Sequence, residues 1–102
     1  MAVLKIESVE QFKDLVSNNN KVLVDFYADW CGPCRMMGPV VEEISNENSS
    51  TVVAKVNVDD LGELAEMFGI FSIPTLIVFN GGNLKTKFTG VTNKAALVDA
   101  LK

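Results

Sequence analysis

Apolar and polar positions along the chain switch repeatedly between a period of about two and a period of about 3.6, and each switch marks a change from strand to helix. Ala2 to Ile6 reads as a weak strand. Ser8 with Gln11 three residues later fits a capping box, and Phe12, Leu15 and Val16 give the following helix its apolar stripe, up to Asn18-Asn19-Asn20. Val22 to Ala28 is apolar on both parities except at Asp25, which is how a central strand covered on both faces reads, so Asp25 is expected to be buried. From Pro33 to about Asn48, the positions Met37, Val40, Val41 and Ile44 recur at helical spacing and predict the longest helix. Pro39 lies inside it and should bend it.

Thr51 to Val58 is a further strand, with Val52, Ala54, Val56 and Val58 on one face and Val53, Lys55 and Asn57 on the other. Asp60 and Glu63 form a second capping-box pattern ahead of Leu61, Leu64, Ala65 and Phe68, with Gly69 placed to end that helix. Thr75–Phe79 and Leu84–Thr89 flank Asn80-Gly81-Gly82-Asn83, whose residues tolerate positive φ, which predicts an antiparallel hairpin. Gly90 then turns the chain into a last helix with Leu97, Val98 and Leu101 inward. The order β-α-β-α-β-α-β-β-α predicts an α/β fold, a mixed sheet between two helical layers. Without repeats or a linker-like stretch, residues 1–102 are expected to form one domain.

Composition narrows the chemistry. Apolar residues make up 48% of the chain, enough for one core, and the balance of 9 basic against 13 acidic residues argues against nucleic acid as a partner. No apolar run approaches the roughly 18 residues that span a bilayer, and residues 1–30 lack a secretory pattern, so no membrane association and a cytoplasmic location are expected. There is no histidine. That removes Ser/His and Cys/His catalytic pairs and His-containing metal sites, leaving Cys, Asp, Glu and Lys to carry any reaction.

The two cysteines stand as Trp30-Cys31-Gly32-Pro33-Cys34, between the buried strand and the longest helix. At i and i+3 on an opening helical turn their sulfurs fall on one side, within disulfide reach. Cys31 lies beside unpaired backbone N–H groups, which with the helix dipole favour a thiolate by up to about 2 kcal/mol. This position makes Cys31 the nucleophile and Cys34, one turn inside and less exposed, the resolving thiol. A purely structural disulfide is weaker as a reading, because closing so short a loop stabilises by only about 2 kcal/mol. A zinc or iron–sulfur site would need four ligands, which two cysteines could supply only in a bridged dimer. Asp25 and Lys55 each fall mid-strand among apolar neighbours, so pairing or neutralisation is expected, and their opposite signs suggest proximity.

Val24 to Cys34, Ile73-Pro74-Thr75, Asn80-Gly81-Gly82 and Gly90 together resemble the thioredoxin family over nearly the whole chain. The resemblance implies the thioredoxin fold: a mixed, mostly parallel central sheet of about five strands sandwiched by four helices. It also implies protein-disulfide reduction, with Cys31 attacking a target disulfide, Cys34 resolving the mixed disulfide, and Pro74 in cis facing the pair. Asp25 would lie beneath Cys34 and relay its proton, with Lys55 modulating it. Gly32 and Pro33 between the cysteines resemble the reducing members of the superfamily. Trp30, Phe71, Ile73, Gly90 and Val91 would form the partner-binding rim. The implied partners are an NADPH-dependent flavoprotein thioredoxin reductase and disulfide-containing targets such as reductases and peroxidases. No bound cofactor or metal is implied, and the protein is expected to act as a monomer.

Two features depart from the family pattern: Tyr27 occupies a position that is commonly tryptophan, and Phe71 replaces what is often a polar or basic residue. Two rival readings remain at this stage. One is a redox-independent interaction module that uses the apolar rim; the other is a disulfide oxidase or isomerase, disfavoured by the Gly-Pro dipeptide and the missing leader.

Overall fold

Strands and helices alternate in the predicted order: β1 (Leu4–Lys5), α1 (Val9–Asn18), β2 (Lys21–Tyr27), α2 (Gly32–Glu47), β3 (Val52–Asn57), α3 (Gly62–Met67), β4 (Thr75–Asn80), β5 (Asn83–Thr89) and α4 (Lys94–Ala100). The structure is a computed structural model and describes residues 2–102. Its strands form one sheet in the order β1-β3-β2-β4-β5. β3 pairs parallel with both β1 and β2, whereas β4 pairs antiparallel with both β2 and β5. All strands but β4 therefore run the same way, in the mixed, mostly parallel arrangement expected.

Strand alternation sorts the core into two layers. Val22, Val24 and Phe26 of β2 join Ala54, Val56, Ile77 and Phe79 under Phe12 and Val16 of α1 and Leu64 of α3. The opposite parity, Leu23, Val53, Leu76 and Val78, packs against Met37, Val41 and Ile44 of α2 and Leu97 of α4. Full burial of each such side chain is worth about 1.5–3 kcal/mol, so α2 is docked mainly by one apolar stripe. Phe12, Phe68 and Phe79 meet edge to face, with ring centroids 5.4–5.7 Å apart. α2 continues without interruption through Pro39.

Two local expectations need correction. Asp60 does not cap α3: the cap residue is Leu61, with no side-chain bond. The turn is organised one step earlier by Asn57, whose side-chain oxygen accepts from Asp59 N–H at 2.9 Å and whose backbone carbonyl accepts from Asp60 and Leu61. The first strand is also only Leu4–Lys5, paired with Ala54 and Lys55 of β3, and the Ile6 N–H closes it on the Lys55 carbonyl at 2.9 Å.

The sheet register gathers the chemistry at one edge. Phe26 near the end of β2 pairs with Thr75 at the start of β4, and Thr75 pairs with Thr89 at the end of β5. The β2–α2 turn, the Ile73-Pro74 segment and the Gly90 turn thus meet at the ends of these strands, where an α/β sheet ordinarily places its site. The hairpin turn lies at the opposite end, and Gly81 and Gly82 take φ of +59° and +86° there.

Candidate functional site

Cys31 is the N-cap residue of α2, in extended conformation, and Pro33 follows within the first turn. Its sulfur accepts a hydrogen bond from the Cys34 N–H at 3.2 Å, and its own N–H donates to the Ala28 carbonyl at 3.2 Å. Cys31 and Cys34 are joined in a disulfide with their Cα atoms 5.3 Å apart. Cutting that bond would leave the Cys31 sulfur already receiving one of the orphan N–H groups of the helix start, which is what a thiolate needs. Exposure does not separate the two cysteines as expected, since Cys31 is 4% and Cys34 5% exposed. Their difference lies in position: Cys31 Sγ is 3.8 Å from the Ile73 carbonyl oxygen, while Cys34 borders a pocket open to solvent.

The Ile73-Pro74 peptide bond is cis, and this segment packs against the cysteines together with Ala28 and Tyr27. Its neighbours pin it. Thr75 Oγ1 donates to the Ser72 carbonyl at 2.7 Å, and the Gly90 N–H donates to the Pro74 carbonyl at 2.7 Å. Gly90 takes φ of +89°, a backbone state that side chains disfavour. Thr92 N–H then meets the Met37 sulfur at 3.4 Å, tying the turn after β5 to α2. Met37 and Thr92 carried no functional signal in the sequence, because they meet through a contact between residues 55 apart in the chain.

Trp30 is 69% exposed beside the disulfide, and its indole N–H donates to Asp59 Oδ2 at 2.8 Å. Asp59 is itself exposed and fixes the tryptophan from the solvent side. Asn57 also reaches Asp29, with its Nδ2 3.4 Å from Asp29 Oδ2. Val91 is exposed, and Phe71 is 98% exposed, so both belong to the apolar surface around the cysteines only as solvent-facing groups.

Asp25 is 4% exposed and lies on the α2 side of β2, in register with Lys55 of β3 and Leu76 of β4. Its Oδ1 has no hydrogen-bond partner. Burial raises its pKa from 3.8 to about 7, with Lys55 opposing part of the rise. The expected proximity of Lys55 holds at the level of register, but the Lys55 ammonium lies over the Tyr27 ring, 5.6 Å from its centroid. The buried carboxyl has no close cationic partner, and its raised pKa lets it take up or release a proton near neutral pH. Asp25, Lys55 and Cys34 line one cavity of about 410 Å³, whose other walls include Arg35, Gly38 and Pro39. Arg35 reaches back to the Asp29 carbonyl at 3.0 Å.

A vicinal cysteine pair at a helix N-terminus, facing a cis-proline segment and backed by a buried carboxyl, defines a dithiol/disulfide oxidoreductase built on an α/β sandwich. The thioredoxin family model matches residues 3–102, and the chain belongs to the thioredoxin family, whose members are protein-disulfide oxidoreductases recharged by thioredoxin reductase. It is 45% identical to the thioredoxin of Mycobacterium tuberculosis (strain ATCC 25618 / H37Rv) over 101 residues, covering 98% of this chain and 87% of that protein. It is also 45% identical over 96 residues to the bifunctional thioredoxin reductase/thioredoxin of Mycobacterium leprae, covering 93% of this chain but 21% of that protein. Among solved structures, a mutant thioredoxin from Halobacterium salinarum superposes with a TM-score of 0.93 at 38% identity, over 98% of this chain and 88% of that one. Among the described residues, no helix is long and apolar enough to cross a membrane.

Proposed function

We propose that the protein reduces disulfides in other proteins, with Cys31 as the nucleophile and Cys34 as the resolving thiol. The Cys31 thiolate attacks one sulfur of a target disulfide; a new S–S bond forms, the target bond breaks, and one target thiolate leaves and takes up a proton. Cys34 then gives its proton to the Asp25 carboxylate and attacks the Cys31 sulfur. The mixed disulfide breaks, the second target thiolate leaves, and Cys31–Cys34 is the oxidised product. Two electrons have passed to the target.

The observation that carries this reading is the Cys34 N–H held on the Cys31 sulfur at 3.2 Å, since that donor stabilises an anion on Cys31 alone. Asp25, raised to about 7, is poised to accept and release a proton near neutrality, and Lys55 keeps that value from rising further. Gly32 and Pro33 set the opening turn, and Pro74 closes the side facing the cysteine pair. Trp30, Phe71, Ile73, Gly90 and Val91 form the rim against which a target polypeptide docks.

The oxidised form is recharged by an NADPH-dependent flavoprotein thioredoxin reductase, a pairing supported by the Mycobacterium leprae protein that carries both names. Peroxidases and reductases that finish their cycles as disulfides suit such a donor, which works as a monomer in a reducing compartment such as the cytoplasm. The test is a trap: Cys34→Ser should accumulate a mixed disulfide through Cys31 with a protein-disulfide substrate, whereas Cys31→Ser should accumulate none. Trapping through Cys34 instead would overturn the assignment.

A further inference from the structure

Lys87 lies on β5, the edge strand, in register with Ile77 of β4, and its ammonium is committed to the main chain of another segment. Nζ donates to the carbonyl of Phe68 at 2.8 Å and to that of Gly69 at 3.3 Å. Those carbonyls lie just past α3, whose end is otherwise closed by its own backbone. Gly69 N–H donates to the Glu66 carbonyl at 3.1 Å and Ile70 N–H to the Ala65 carbonyl at 2.8 Å, with Gly69 at φ +61°. This pattern satisfies the carbonyls of residues 65 and 66 and leaves those of 68 and 69 to an outside donor.

The neighbours of these atoms separate Lys87 from an ordinary surface lysine. The point where a Cβ on Gly69 would stand is 3.9 Å from Lys87 Nζ and 3.8 Å from Phe71 Cε2. Gly69 thus lies between the ammonium and the edge of the Phe71 ring, and Phe71 itself is 98% exposed, so the path of the main chain rather than side-chain packing sets where the ring stands. Further along the same segment, Thr75 holds the Ser72 carbonyl, and the Ile73 carbonyl lies 3.8 Å from Cys31 Sγ. Segment 68–73 is thus pinned at one end by Lys87 and at the other beside the reactive sulfur.

We propose that Lys87 is a positioning residue for disulfide exchange: it holds segment 68–73 in the shape that presents Phe71 and the Ile73 carbonyl to a docking target. The inference rests on the reading of Phe71 and Ile73 as target contacts. Lys87 touches neither sulfur and acts through the segment. Without it, the freed carbonyls turn to water, and docking must order a segment that Lys87 would have held in place beforehand. That weakens target binding and leaves the exchange chemistry intact.

Lys87→Met, Lys87→Arg and Phe71→Ser are compared in steady-state reduction of insulin and of a small aromatic disulfide, with melting temperatures alongside. Lys87→Met should raise the KM for insulin roughly five-fold, with kcat and the small-disulfide rate unchanged. Lys87→Arg, which keeps donors for both carbonyls, should restore it. Phe71→Ser should raise KM similarly, and adding Lys87→Met to it should change little further. If Phe71→Ser raises KM and Lys87→Met does not, the positioning role falls while the rim stands. If neither raises KM, the rim reading falls and the positioning role with it. An equal loss on the small disulfide, or a loss that vanishes at about 1 M salt, where screening extends only about 3 Å, would assign the effect to chemistry or charge steering and overturn the proposal.

Discussion

Asp25 should oppose stability and support activity at the same time. Its carboxyl is 4% exposed, one oxygen has no partner, and its pKa stands at about 7 against 3.8. The folded state therefore prefers the protonated form. Stability from that preference is complete below the unfolded pKa, declines as pH rises, and is lost once pH passes through about 7. The rise corresponds to about 4 kcal/mol, at about 1.4 kcal/mol for each tenfold change in the proton equilibrium. Asp25→Asn keeps the side-chain shape and removes the charge. Urea unfolding of the two proteins should give similar midpoints near pH 4 and a gap opening to about 3 kcal/mol by pH 8 in favour of the variant, or roughly 1–3 M urea for ordinary slopes. Turnover with insulin should nonetheless fall at least roughly ten-fold, because Cys34 loses its proton acceptor. A variant less stable than the parent at pH 8 would show that Lys55 makes the ionised carboxylate a net-favourable charge. A gap that does not change with pH would show that ionisation is not its origin.

With the disulfide reduced, limiting iodoacetamide near pH 7 should label Cys31 ahead of Cys34, as peptide mapping would reveal; the reverse order would remove the helix-cap account of the thiolate. Gly90→Ala should lower stability by about 1–2 kcal/mol in chemical unfolding, since φ is +89° and a Cβ there meets no atom within 4 Å, leaving backbone strain as the whole cost. The same variant should raise KM for protein targets, because a backbone that relaxes away from φ +89° draws the residue 90 N–H off the Pro74 carbonyl. Asp59→Ala should free the Trp30 indole, seen as altered fluorescence anisotropy, and weaken target binding by about 1 kcal/mol.

What the linear pattern determined is the element order, the two-layer core and the nature of the reactive pair. These are local properties: alternation along β2 and β3 sorts side chains by face, Gly81-Gly82 supplies the turn, and the three-residue spacing of Cys31 and Cys34 on an opening helix brings the sulfurs together whatever else the chain does. Family resemblance, rather than periodicity, pointed to a cis Pro74 and to the role of Asp25. Tertiary structure decided everything that depends on which atoms meet across the sheet. Asn57 rather than Asp60 organises the turn before α3, because a buried amide with fixed geometry wins over an exposed carboxylate at the matching spacing. The exposed Asp59 accepts from the Trp30 indole, and Lys55 settled over Tyr27 instead of closing on Asp25. Met37 and Lys87 draw their importance from backbone groups outside their own elements, where no residue pattern registers them. Hydrogen bonds to main-chain atoms leave almost no trace in side-chain identity, so only the folded backbone could place them.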